Sequence, residues 1–260
     1  MSTASSSREG PTGPGGPAPQ RTADGGPPGG LGLELGAAAV VLAYGVLIAR
    51  VVPDALYVPV NLAAAALALI AARRAGVSWR DLGLARDRMR SGLRLGALTV
   101  IPIAAVVAAG LALPWTRDFF RDTTIVSAST AEAGYTLFLR IPFGTALAEE
   151  LIFRGALLGL YLRRHRPWVA VLMSSAVFGF WHVLPTLDSL GTNPGAAATA
   201  SSVVLRIAAV AFVVLSTGVA GAFFCALRLR SGSVLAPWLT HTAFNSLGYL
   251  GSRIAGRLPR

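Results

Sequence analysis

The sequence predicts an all-α fold, a polytopic bundle of about seven, or eight, transmembrane helices. Three observations carry that prediction. Of the 260 residues, 53% are hydrophobic and only 13% charged, where a soluble domain carries about a quarter. Apolar runs of about 20 residues, the length that crosses a hydrocarbon core, recur along the chain. Nothing alternates as a β-barrel does, and helices and closed barrels are the only backbones that span a bilayer.

The elements follow in order. Residues 1–31 are a tail of Gly, Pro, Ser and Thr with almost nothing large and apolar. Such a segment buries too little surface to offset its ordering entropy, so disorder is expected. It has no apolar core of the kind a cleavable signal peptide needs. The transmembrane domain then occupies 32–260. Its expected spans are 33–52, 55–72, 95–114, 135–162, 168–185, 203–227 and 234–251.

The net charge is +11, and all 23 basic residues are arginine. They sit between apolar runs, which points to anionic headgroups and to no nucleic acid. The connections 73–94, 163–166 and 228–230 are Arg-rich. Those at 115–134 and 186–202 instead hold Asp118, Asp122, Glu132 and Asp188. This alternation predicts a multi-pass protein of the cytoplasmic membrane with its N-terminus inside. Arg253, Arg257 and Arg260 then fall on the outer side, against the rule. His165, in "RRHR", is expected to be solvated. Trp115, Trp168 and Trp181, near span ends, are expected as interfacial anchors. Cys225 is the only cysteine, so an intrachain disulfide is excluded and a buried apolar role is expected.

Ionisable groups inside spans are costly and face the bundle interior or a wet cavity. The fourth span carries Arg140, Glu149, Glu150 and Arg154, the fifth His182, and the last His241 and Asn245. Counted from the basic ends of their helices, Glu149 lies about 20 Å deep, His182 about 21 Å, and His241 and Asn245 about 14 and 20 Å. Three helices thus bring polar groups to a similar depth. Glu150 and Arg154 are spaced i,i+4 and pair on one helix face. Phe178 with His182, and His241 with Asn245, share that spacing. Glu149, roughly 100° around the helix from Glu150, has no partner nearby in sequence.

Two chemistries suit this set. Glu149 removes a proton from water while His182 orients it, with His241 and Asn245 donating to the oxyanion of an attacked amide. Alternatively Glu149, Glu150, His182 and His241 hold a divalent metal such as zinc, leaving a position for water. "HExxH" is absent. Two non-enzymatic readings use the same residues: a proton-coupled transporter with a buried relay, for which no internal repeat is visible, and a scaffold in which the polar set locks helices together.

The stretches "EELIFR" (149–154), "FGFWH" (178–182) and "HTAFN" (241–245) resemble, in order and on separate spans, the EExxxR, FxxxH and HxxxN motifs of the CPBP family. These are CAAX proteases and bacteriocin-processing enzymes, also called Abi proteins. The resemblance covers about 75–250, and "WRDLGL" (79–84) adds to it. It implies a multi-helix intramembrane endopeptidase acting on a membrane-associated protein or peptide, for some relatives a prenylated CAAX-type one. It associates Glu149 and His182 with activating water and His241 and Asn245 with the oxyanion. Glu150, Arg154 and Phe178 support them. The family is described both as metalloprotease and as metal-free.

Overall fold

The computed structural model describes residues 30–258. Residues 1–29 of the expected 1–31 tail therefore lie outside the described residues, and its last two, Gly30 and Leu31, instead open the first helix. Among the described residues every regular element is a helix. The long ones are α1 (Gly30–Arg50), α2 (Tyr57–Arg74), α3 (Met89–Ala112), a composite α4 over 130–162, α5 (Pro167–Trp181), α6 (Val183–Thr192), α7 (Val203–Ser231) and α8 (Leu235–Ala255). Short helices fill the connections 114–127 and 194–199.

Five segments are long and apolar enough to cross a membrane: Gly30–Arg50, Asp54–Arg74, Arg86–Ala112, Pro167–Thr192 and Val203–Ser231. The other two expected spans are α4 and α8, the helices that carry Glu149, Glu150, Arg154, His241 and Asn245. Their polar residues lower the apolarity that would mark a span. On α7, Val203, Val204, Ile207, Phe212, Leu215 and Val219 all stand exposed, an apolar face that only lipid satisfies. The chain is a multi-pass membrane bundle.

Helix α4 runs between α2 on one side and α8 on the other. Helix α3 packs along α8, and α5 along α7. Small residues permit the close crossings, as is usual in membranes. A Cβ on Gly179 of α5 would stand 2.5 Å from the Val214 carbonyl oxygen of α7. Gly155 and Gly159 of "GALLG" press on the loop after α2, where a Cβ on Gly159 would meet Val77 at 2.9 Å and the Asp81 carbonyl at 3.0 Å. That loop contains "WRDLGL". Arg228 of α7 donates to the Arg80 and Asp81 carbonyls, and the Val234 amide donates to Gly83. Gly83 itself has φ +73°, and a side chain there would collide with Arg228.

Helix α4 does not wind uniformly. Thr136–Leu147 and Leu151–Leu157 are π-helical, with Ala148–Glu150 between them. Pro142 lies inside the first π stretch. Its ring displaces the carbonyl four residues back and it has no N–H to give. Its own carbonyl accepts from Trp238 Nε1 of α8 at 2.7 Å. Wide turns of this kind occur preferentially at functional sites, and here they flank both glutamates.

Several local expectations change. The fifth span does not end at 185: it breaks at His182 (φ −86°, ψ 1°) and continues as α6 to Thr192. His165 is not simply solvated, because its Nε2 lies 2.8 Å from Oε2 of Glu34. Glu34 is buried in α1 and its other oxygen lies 3.7 Å from Arg164. Trp181 is no interfacial anchor, as shown below, whereas Trp115 and Trp168 are exposed as anchors should be. Of the arginines that the charge rule left in conflict, Arg253 has structural work. Arg253 donates to the Ile125 and Ala128 carbonyls, tying the connection 118–128 to the end of α8.

Candidate active site

The site is built on the fourth, fifth and last long segments. Glu149, Glu150, Arg154 and His241 are all buried. Glu150 Oε1 receives two donors: Arg154 Nη1 at 3.0 Å, and Nδ1 of His241 at 2.9 Å. Both partners of the Glu150–Arg154 ion pair are 0% exposed. Arg154 also donates Nη2 to the Gly221 carbonyl of α7 at 3.3 Å. Gly221 makes that reach possible, since a Cβ there would stand 3.3 Å from Nη2. The guanidinium lies 4.0 Å from the Phe178 ring centroid and 5.0 Å from that of Phe224. In a desolvated setting such cation–π contacts contribute about 2 kcal/mol or more. Glu150 and Arg154 therefore anchor α4 to α7 and α8 and hold the His241 ring in one orientation.

Glu149 is placed differently. Its Oε1 accepts from Trp181 Nε1 of α5 at 3.2 Å. Its Oε2 is buried and, among the described residues, has no hydrogen-bond partner. His241 Nε2 stands 3.9 Å from that oxygen, beyond hydrogen-bond distance. A buried carboxylate oxygen without a donor is costly unless something else occupies the gap. As the spacing implied, the partners of Glu149 lie on other helices.

His182 sits at the break between α5 and α6. Its Nδ1 lies 2.8 Å from the Phe178 carbonyl. A carbonyl only accepts, so Nδ1 carries the hydrogen and Nε2 of the neutral ring presents its lone pair. This explains the FxxxH spacing: the residue four before the histidine supplies the orienting carbonyl. Its ring also packs edge-on to His182 at 4.6 Å and to His241 at 6.0 Å. Phe178 thus separates and aligns the two imidazoles.

Asn245 occupies the wall of an open cavity of about 370 Å³, with Arg140, Thr145 and Tyr249 among its neighbours. Its side chain makes no hydrogen bond among the described residues. Neither Asn245 nor His182 bonds directly to Glu149 or to His241. The structure joins Glu150 to Arg154 and His241, sets Phe178 against Arg154, His182 and His241, leaves Glu149 3.9 Å from His241, and puts Asn245 one turn beyond His241.

Trp181 is the contributor that sequence reasoning missed. Its position next to His182 and its donor N–H were visible, but a tryptophan near a span end resembles an anchor. Its ring packs edge-on to Phe153 at 5.6 Å, which fixes the N–H toward Glu149.

The zinc alternative requires several ligands in one place. Among the described residues, no three His, Cys, Asp or Glu side chains form a group placed to hold a metal ion. Glu150 is already engaged by Arg154 and His241. As arranged, Glu149, Glu150, His182 and His241 do not fit such an ion, and no step below runs through one.

The family comparison agrees with the motif reading. Residues 131–247 match the family model described as Type II CAAX prenyl endopeptidase Rce1-like. Comparison with curated proteins finds no match, and comparison with solved structures finds none. The matched segment begins one residue before Glu132 and ends two after Asn245, so it holds α4, α5, α7 and all three motifs. Over residues 131–247 the chain is thus similar to the Rce1-like CAAX prenyl endopeptidases.

Proposed function

We propose that this protein is an intramembrane endopeptidase that hydrolyses a peptide bond of a membrane-associated protein or peptide with water activated by Glu149 and His182. The supporting observation is the asymmetry of the two adjacent glutamates. Each glutamate keeps a buried Oε2 without a donor among the described residues, but Glu150 Oε1 takes both the Arg154 guanidinium and His241, while Glu149 Oε1 takes only the neutral Trp181 N–H. One carboxylate positions and the other is open for chemistry, the division seen when paired acids take different roles.

In this reading a water molecule lies between Glu149 Oε2 and His182 Nε2. Glu149 takes its proton as the water oxygen bonds to the amide carbon. Asn245 donates N–H to the resulting oxyanion, and His241 assists when it carries a proton on Nε2. The tetrahedral species then collapses, the carbon–nitrogen bond breaks, and Glu149 returns the proton to the leaving amine. Trp181 steadies Glu149 through Oε1 and leaves Oε2 to react. The bilayer excludes bulk water, which strengthens each of these interactions. The family match favours a prenylated, CAAX-type substrate, and the alternation of Arg-rich connections favours the cytoplasmic membrane with the N-terminus inside.

The test is purified protein in liposomes with a peptide panel, prenylated and unprenylated, read by mass spectrometry. Cleavage of prenylated members at one internal bond is expected. Proton flux without any cleavage would instead favour the transporter reading. Elemental analysis of an active preparation, with activity surviving chelators, is the outcome expected of the metal-free scheme.

A further inference from the structure

Arg140 is the basic residue of α4 that the chemistry above leaves unused. It lies in the first π stretch, its side chain 32% exposed, and it borders the same open cavity as Asn245. A single guanidinium nitrogen, Nη1, reaches Asp54 at 2.8 Å. Asp54 is itself 87% exposed. The guanidinium carbon Cζ lies over the Tyr57 ring, 4.1 Å from its centroid, a cation–π contact that restrains the fork. An arginine has five N–H donors, and among the described residues the others here have no acceptor. An arginine restrained by an aromatic ring, lining a cavity and with donors to spare, suits a planar carboxylate.

The position of Arg140 relative to Glu149 says which carboxylate. In an α-helix, residues nine apart fall on opposite faces. The wider π turns between them reduce that offset, and Arg140 shares its face with Thr145. Thr145, five residues from Arg140 and four from Glu149, lines the cavity with Arg140. Tyr57 touches both, stacking under Arg140 and meeting Thr145 Oγ1 at 3.3 Å. Along the axis the two charged residues are at most about 13 Å apart. An extended peptide covers about 10 Å in three residues. A substrate terminus held by Arg140 therefore presents the bond three or four residues upstream to Glu149.

Resting on the peptidase reading, the geometry points to a subsite for the C-terminal carboxylate of the substrate, formed by Arg140 over Tyr57, that fixes the distance from the chain end to the cut. The anion-binding chemistry is shared by a lipid phosphate, so the experiment separates the two sources.

The probe is a dansyl-labelled hexapeptide with S-farnesyl cysteine fourth from its end, made as the free acid and as the C-terminal amide. Binding to full-length protein in detergent is measured for the parent, Arg140→Gln, Arg140→Lys and Asp54→Asn. The acid is expected to bind the parent about tenfold to a hundredfold more tightly than the amide. Arg140→Gln is expected to bring that ratio close to one, and Arg140→Lys to restore part of it. Asp54→Asn breaks the same ion pair yet is expected to keep the preference, so a merely structural pair would behave differently. Equal binding of acid and amide by the parent, or no binding of either, overturns the subsite. So does a preference that survives Arg140→Gln. Titrated phosphatidylglycerol forms a separate arm: an Arg140-dependent effect seen there and not with the peptides also overturns it. Cleavage is followed in the same samples. Acid preference without cleavage refutes the peptidase reading and keeps the subsite. Cleavage of both peptides alike does the reverse.

Discussion

Replacing Arg154 by Met keeps most of the side-chain volume and removes the charge. Glu150 would then be a carboxylate with 0% exposure, its only remaining donor Nδ1 of His241. Removing one partner of a buried ion pair costs about 3–5 kcal/mol, because the other charge stays buried without compensation. The cation–π contacts with Phe178 and Phe224 go as well. For a chain of this size each kcal/mol moves Tm by about 2–4 °C, so a fall on the order of ten degrees is expected. Adding Glu150→Gln removes the stranded charge. The double variant should therefore recover a large part of the loss, since a buried pair replaced as a unit is often close to neutral. The assay is thermal unfolding of parent, both single variants and the double variant in one detergent. It reads the coupling energy of the pair directly. An Arg154→Met protein that melts within two or three degrees of the parent would refute the reasoning, as would strictly additive variants.

Trp181→Phe keeps the ring packing on Phe153 but takes the donor from Glu149 Oε1. Its kcat is expected to fall about tenfold or more, the worth of a hydrogen bond to a charged group, with Tm lowered by only about 3–10 °C in the same thermal scan, so that the protein still folds. Gly179→Ala sets a Cβ 2.5 Å from the Val214 carbonyl, so α5 and α7 must separate at a cost of about 1–3 kcal/mol. Gly191→Ala, with nothing within 4 Å, is the control whose melting should not move.

Much of the fold was legible because lipid imposes a coarse pattern. Each of the seven apolar runs expected to span is a helix, and Glu149 finds its partners across helices as its isolation in sequence implied. What was illegible lies in tertiary relations. Glu34 is met by His165 from 131 positions away, so an acid early in the first span gave no sign of a basic partner. The docking of "WRDLGL" under Arg228 joins residues 147 and 148 positions apart. The π winding of α4 is invisible to a 3.6-residue period, apart from Pro142. That winding matters most, since it decides which residues of one helix share a face, Arg140 with Thr145 among them. Trp181 was misread because local position suggested an anchor, while its role depends on an acid from another helix.

The central claim is that Glu149 is the base of a water-activating site, and Glu149→Gln tests it most directly. Gln preserves the shape and the Trp181 contact while removing the group that accepts the proton. Cleavage of a farnesylated peptide in liposomes is measured for parent and variant, with thermal unfolding as the folding control. The account predicts a loss of about a hundredfold to ten-thousandfold in kcat, the range of general-base contributions, in a protein that still folds. A folded Glu149→Gln protein cutting the peptide at the parent's rate would contradict it.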